Sequence, residues 1–371
     1  MNHLSYHEGW VLYENPKPHV RSRHGFFPGL VSLPNGELLA LVVIGQAFES
    51  ADSTTYVFRS SDKGKSWNSE GRLCDRGALA IPTSDYLKPS RLHGGSLVAI
   101  GYRFHRFDPE QAIAIEETAG ILPGNDIVSF SDDNGKTWNV PIEITRSRPE
   151  LLEISGPCVE SASGDLLAVA ARFRMPDGSN PSGSSGVLLR SRDRGRTWSD
   201  KEVFFDALGR SVTPFESRLC RMEDGALVAI SWPYDYDTGT SLSNHYVISH
   251  DDGRSWSAPA DTGQYGQSAG LLPCGRDHLL AIQAHRSGQN PGIYVRLVDI
   301  TGGRWRAVEE LEIYGIGGPA MLQGQGEATM FASLRFGQPS LLQTAPDEIL
   351  GVHWCIEDGL GKIRLHRICF R

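Results

Sequence analysis

Ser60-Ser-Asp62-Lys-Gly64-Lys-Ser-Trp67 is the stretch that decides the fold, because it returns along the chain. Ser131-Asp-Asp133-Asn-Gly135-Lys-Thr-Trp138, Ser191-Arg-Asp193-Arg-Gly195-Arg-Thr-Trp198 and Ser249-His-Asp251-Asp-Gly253-Arg-Ser-Trp256 share its pattern, S-x-D-x-G-x-[ST]-W. A fifth, eroded copy, Thr301-Gly302-Gly-Arg-Trp305, keeps a glycine and the tryptophan, so five of the eight tryptophans occupy one repeat position. Asp followed two residues later by Gly suits a hairpin tip. The carboxylate accepts hydrogen bonds from nearby backbone N–H groups, and Gly takes φ > 0. The Trp then opens the next strand and packs between sheets.

Working outward, each motif is preceded by a strand, a turn and a second strand. The copies are LVSLPNGELLALVVIG from Leu30, SRLHGGSLVAIGYRF from Ser90, VESASGDLLAVAARF from Val159, SRLCRMEDGALVAISW from Ser217, LLPCGRDHLLAIQAH from Leu271 and SLLQTAPDEILGVHW from Ser340. Third strands follow at 55–60, 126–131, 186–191, 244–249, 292–298 and 361–370. Six repeats of a four-stranded antiparallel unit predict an all-β, six-bladed β-propeller. The sixth copy ends after its third strand, and the strand-like Gly9–Asn15 is unassigned. The expectation is one domain over 1–371, its ring closed by strand 9–15, which leaves no open sheet edge. Asp108–Gly124 reads as an insertion in blade two with a helical turn.

Composition fits this reading. The 371 residues are 40% hydrophobic and 22% charged, which excludes collagen-like and mostly disordered chains. The formal net charge of −8 argues against a general nucleic-acid or anionic-membrane binder. No basic start followed by an apolar run is seen, and no apolar run approaches the ~20 residues of a membrane span. Cys74, Cys158, Cys220, Cys274, Cys355 and Cys369 form no CxxC pair. Reduced thiols in a cytoplasmic protein are therefore expected. No nucleotide, flavin or metal motif is present, so no cofactor is implied.

The four complete motifs inside a six-fold strand pattern resemble the Asp-box repeats of the sialidase superfamily. That resemblance covers nearly the whole chain. It implies that the motif aspartates are structural, on the outer edge of the blades, and that the chemistry lies at one end of the central channel. Sialidases there carry three arginines that grip a carboxylate, an Asp acid/base, and a Tyr nucleophile supported by a Glu. Two of these are replaced here. Phe26, in Phe26-Phe27-Pro28, stands at an arginine position, and Gln338, in Gln338-Pro339-Ser340-Leu341, stands at the tyrosine position. The resemblance with these departures implies a sialidase-like glycosidase that is not a true sialidase.

The site candidates follow from strand ends. Glu49, in the loop Gly45–Asp52 and thirteen residues before Asp62, holds the acid position implied by the resemblance. A carboxyl at a channel mouth can have its pKa raised and protonate a leaving oxygen. Alternation along Tyr102-Arg103-Phe104-His105-Arg106 sends Arg103 and His105 to one face. Arg172 in blade three, Glu216 and Tyr234 in blade four, and His285-Arg286 in blade five complete the channel set. Arg23 and His24 lie before blade one, and Arg335 and Gln338 open blade six. So many cations suit an acidic sugar.

Three functions stay open. One is exo-hydrolysis of a terminal, acidic sugar, with Glu49 as acid, Tyr234 or Glu216 as nucleophile or helper, and the arginines as clamp. Another is elimination on uronic-acid glycans by His105, Tyr234 and Arg103. The third is a non-catalytic glycan-binding propeller. The expected partner is an oligosaccharide, with no nucleic acid and no membrane. A homo-oligomer is compatible with this reading.

Overall fold

Six four-stranded antiparallel sheets are arranged as the blades of a propeller. The structure, a computed structural model, describes residues 3–370 except 76, 78 and 323–326. The ends of the expected 1–371 span, Met1, Asn2 and Arg371, lie outside the described residues. Blade one runs through His24–Ser32, Leu38–Gly45, Thr54–Ser60 and Asn68–Arg72, from the channel outward. Blades two to five repeat that order, and neighbouring innermost strands touch around the channel.

The repeated turn has one geometry in its four complete copies. In the first, Ser60 Oγ donates to Asp62, and Asp62 accepts from the Ser66 backbone and hydroxyl at 2.9 and 2.6 Å. Gly64 N donates to Ser60 Oγ at 2.9 Å, and the Trp67 indole N–H donates to Gly64 O at 2.9 Å. Lys63 and Gly64 have φ of 60° and 82°. The same bonds recur around Asp133, Asp193 and Asp251. The tryptophans then pack against separate hydrophobic clusters between blades.

The last blade is built from Phe336–Ala345, Glu348–Glu357 and Leu360–Phe370, and its outer strand is Leu4–Tyr13. Leu4 lies opposite Phe370, and Tyr13 opposite Ile363. The strand therefore begins before Gly9 and ends before Asn15. The insertion in blade two forms no helix. It is a short hairpin, Ala114–Ile115 against Gly120–Ile121, because its glycines and the Thr118–Ala119 turn favour chain reversal. The α-helix lies elsewhere, at Glu327–Ser333, between blades five and six. All six cysteines are free thiols. No helix among the described residues is long and apolar enough to cross a membrane.

Candidate active site

Three blades bend their innermost strand at the same place. The register slips between Phe26 and Gly29, between Phe215 and Arg218, and between Gly337 and Ser340. At each slip a residue other than glycine adopts left-handed φ: Phe27 at 49°, Glu216 at 45° and Gln338 at 40°. Such conformations cost of order 1–3 kcal/mol each and persist only where the surroundings impose them. All three side chains line one cavity at the end of the channel, about 850 Å³ out to its open mouth.

One side of that cavity is an aromatic belt. Phe48 packs on Phe27 at 5.2 Å between ring centroids, Phe27 on Tyr86 at 5.6 Å, and Tyr86 on Tyr102 at 5.6 Å. The belt continues to Phe173 at 5.6 Å, Phe215 at 6.2 Å and Trp232 at 6.0 Å. Met330 and Phe331, from the helix Glu327–Ser333, line another part of the wall. Aromatic faces of this kind stack on the C–H faces of a sugar or on a flat apolar ligand.

The polar groups gather at three points. Glu49 is half-buried on the blade-one loop, and backbone N–H groups of Ile113 and Ala114 in the insertion donate to its carboxylate. Burial outweighs those bonds and the nearby Arg106, raising its pKa to about 6. At the second point, Gln338 Nε2 donates to Glu216 Oε1, while Glu216 Oε2 is buried with no hydrogen-bond partner. Glu153 accepts from the Glu216 backbone N–H at 2.8 Å and from the Ser155 hydroxyl. Desolvation, then the neighbouring Glu216 charge, pushes Glu153 up to about 8, so it is a neutral acid at pH 7. Lys88 and Arg218, both buried, offset part of that rise from within the channel.

Arg286 is the third point. Its Nε donates to Phe336 O at 2.6 Å and its Nη1 to Gln267 O at 2.7 Å. Its guanidinium rests on Gly337, where a Cβ would come within 1.7 Å of Nη2 and displace it from this position. Burial lowers its pKa to about 10, which leaves it charged at neutral pH.

The structure brings Glu49, Glu216, Tyr234 and Gln338 into one cavity. It does not bring the remaining candidates there. Arg103 and His105 both contact Asn125 Oδ1, at 3.3 and 2.8 Å, while their neighbours Tyr102 and Phe104 face the cavity. Arg172 donates to Ser185 O and Phe173 takes the inward place. His285 packs near Tyr294, and Arg286 is the inward residue of that pair. Alternation was read correctly in these strands, but the inward face is the aromatic one. Arg23 lines a different cavity near Tyr13, His24 accepts from Gly361 N, and Arg335 is exposed. Phe26 is 1% exposed, packed against Trp354 behind the cavity.

Glu153 and the aromatic belt were not singled out from sequence. A signal existed in both. Glu153 interrupts the apolar run Leu151–Ile154, and the second strands of blades two, three and four all end in aromatics. Among the described residues, no three of His, Cys, Asp and Glu come together as metal ligands.

No known family model matches the sequence, and no curated protein matches it as a relative. Solved structures share its fold. A protein of unknown function from Dyadobacter fermentans superimposes with a TM-score of 0.77 at 18% identity, over 99% of both chains. A Hadza microbial sialidase gives 0.65 at 17% identity, over 97% of this chain and 68% of its own. A Penicillium chrysogenum α-L-arabinanase, solved with arabinobiose, gives 0.64 at 14% identity, over 98% of both chains.

Proposed function

We propose that the protein is a propeller glycoside hydrolase acting on a terminal, uncharged sugar. The observation that carries this is Glu49: a carboxyl with pKa raised to about 6, in the wall of an aromatic cavity that also holds the unpartnered Glu216 Oε2. Glu49 gives its proton to the glycosidic oxygen as the C–O bond breaks. Glu216 Oε2 takes a proton from water, whose oxygen bonds to the anomeric carbon. Gln338 and the Glu153 carboxyl hold Glu216 in place.

The acidic sugar expected from the sequence is not favoured by this lining. Among the described residues that line it, Arg286 is the one cation, and two of its nitrogens are already bound to backbone carbonyls. Elimination is not favoured either, because Arg103 and His105 stand outside the cavity beside Asn125. The shared fold of a sialidase and an arabinanase supports a glycosidase without choosing the sugar.

The test is a panel of neutral and acidic oligosaccharides incubated with pure protein and read by mass. Gain of one water on cleavage of a neutral glycoside is expected. A product with a new double bond, or binding with no release, overturns the reading.

A further inference from the structure

A second, more open cavity adjoins the first, and Phe48, Glu49 and Phe331 belong to the walls of both. The two cavities differ in chemistry. The first is mostly aromatic; the second is lined by Gln46, Asp52, Arg106, Glu110 and Gln111. Arg106 is 3% exposed, and its Nη2 donates to Gln111 O at 2.8 Å. Its Nε and Nη1 have no hydrogen-bond partner.

We infer that the second cavity holds the leaving group, and that this group is hydroxylated, such as a further sugar unit. The inference rests on the reading of Glu49 as the acid. A proton donor must stand within hydrogen-bond reach of the bridging oxygen. That oxygen joins the sugar being released to the group it leaves. A donor on the wall between two cavities places the bond across that wall, with one partner on each side. Side-chain amides and carboxylates satisfy hydroxyl groups, as an aromatic wall does not. Once Glu49 has given up its proton, the new carboxylate lies beside the Arg106 guanidinium, whose open N–H groups favour the charge.

The experiment compares two substrates with the same terminal sugar, a methyl glycoside and a disaccharide, in the full chain and in Ala112→Trp, which narrows the second cavity. The ratio of kcat/KM, disaccharide over methyl glycoside, is expected to fall by about 10–100-fold, the worth of lost pocket contacts. Gln111→Ala removes an exposed side chain with no part in the core, and should lower the same ratio about threefold, a weak hydrogen bond's worth. It decides the matter if Ala112→Trp does not fold. An unchanged ratio overturns the inference while leaving Glu49 as acid. Cleavage of neither substrate overturns the proposed function, and this inference with it.

Discussion

The outer turns and the channel end use the same functional group in opposite ways. At the rim, Asp62, Asp133, Asp193 and Asp251 are near solvent, and bonds from the Ser or Thr four residues on hold their pKa down at about 2. At the channel end, burial raises Glu49 to about 6 and Glu153 to about 8. Rim carboxylates are fixed as anions because backbone donors need an acceptor there. Glu49 and Glu153 hold their protons to higher pH than a carboxyl in water does, because burial penalises their charged form. A carboxylate saturated with hydrogen bonds has no proton to give and no lone pair to spare. The proposed chemistry is therefore assigned to the region whose polar groups are incompletely satisfied.

The strongest attempt to break this contrast is Glu49→Gln. It removes the transferable proton at nearly constant shape. The rate on an oligosaccharide should fall about 10²–10⁴-fold, with much less loss on an aryl glycoside whose leaving group needs little protonation. The melting temperature should barely move. Near-normal turnover of the oligosaccharide would transfer the acid role elsewhere. As the proposed acid, Glu49 would act in its protonated form in the parent, so the rate should decline as pH rises through about 6. A pH–rate profile flat from pH 5 to 8 would remove Glu49 from the role.

Glu153 tests stability in the same region. Its folded pKa is raised, so its contribution is fully present below the unfolded value of about 4.3 and is lost as pH rises toward about 8. Glu153→Gln keeps the shape without the charge, and the Ser155 hydroxyl can turn to accept from the new amide. The variant should melt a few degrees above the parent at pH 8 and level with it near pH 4. No gain at pH 8 would mean that water reaches Glu153.

At the rim the effects are smaller and the sign reverses. Asp133→Ala should cost roughly 0.5–2 kcal/mol, as other capping losses do, and leave turnover unchanged. The folded pKa of Asp133 is depressed, so its contribution is present above the unfolded value of about 3.9 and is lost as pH falls through about 2. Denaturation at pH 7 and pH 2 should therefore show the variant's deficit shrinking in acid. A tenfold loss of activity in Asp133→Ala would erase the division between rim and channel.

The propeller was legible because each blade repeats the same local instruction. An Asp-x-Gly turn can be read from three residues, and period-two strands from a few more. The outer strand of the last blade was legible as a strand-like stretch left over near the start. The end of the channel where the cavity opens was legible too. The facing of the strand ends there was not. Arg103 and His105 look inward if a channel is assumed to be wet and polar, whereas Tyr102 and Phe104 look like ordinary core. This cavity is lined like a core, so hydrophobicity could not separate wall from interior. Gln338 was picked out by its motif position and Glu216 by its place on the first strand of blade four, and both line the cavity. Their hydrogen bond crosses 122 residues of sequence, and no local pattern encodes it.

The last blade also sets an order in time. Leu4–Tyr13 leaves the ribosome more than 300 residues before its partner Leu360–Phe370, since Leu4 pairs with Phe370 and Tyr13 with Ile363. Until that partner emerges the early strand has no sheet to join, while the blades between them can form one by one. A waiting strand of apolar residues would invite pairing with other chains. This one runs Ser-Tyr-His-Glu-Gly from Ser5 to Gly9, residues that remain exposed even in the finished sheet. That half of the strand can stand in water until the ring is ready to be closed, and the apolar half, Trp10–Tyr13, is what the closed ring covers.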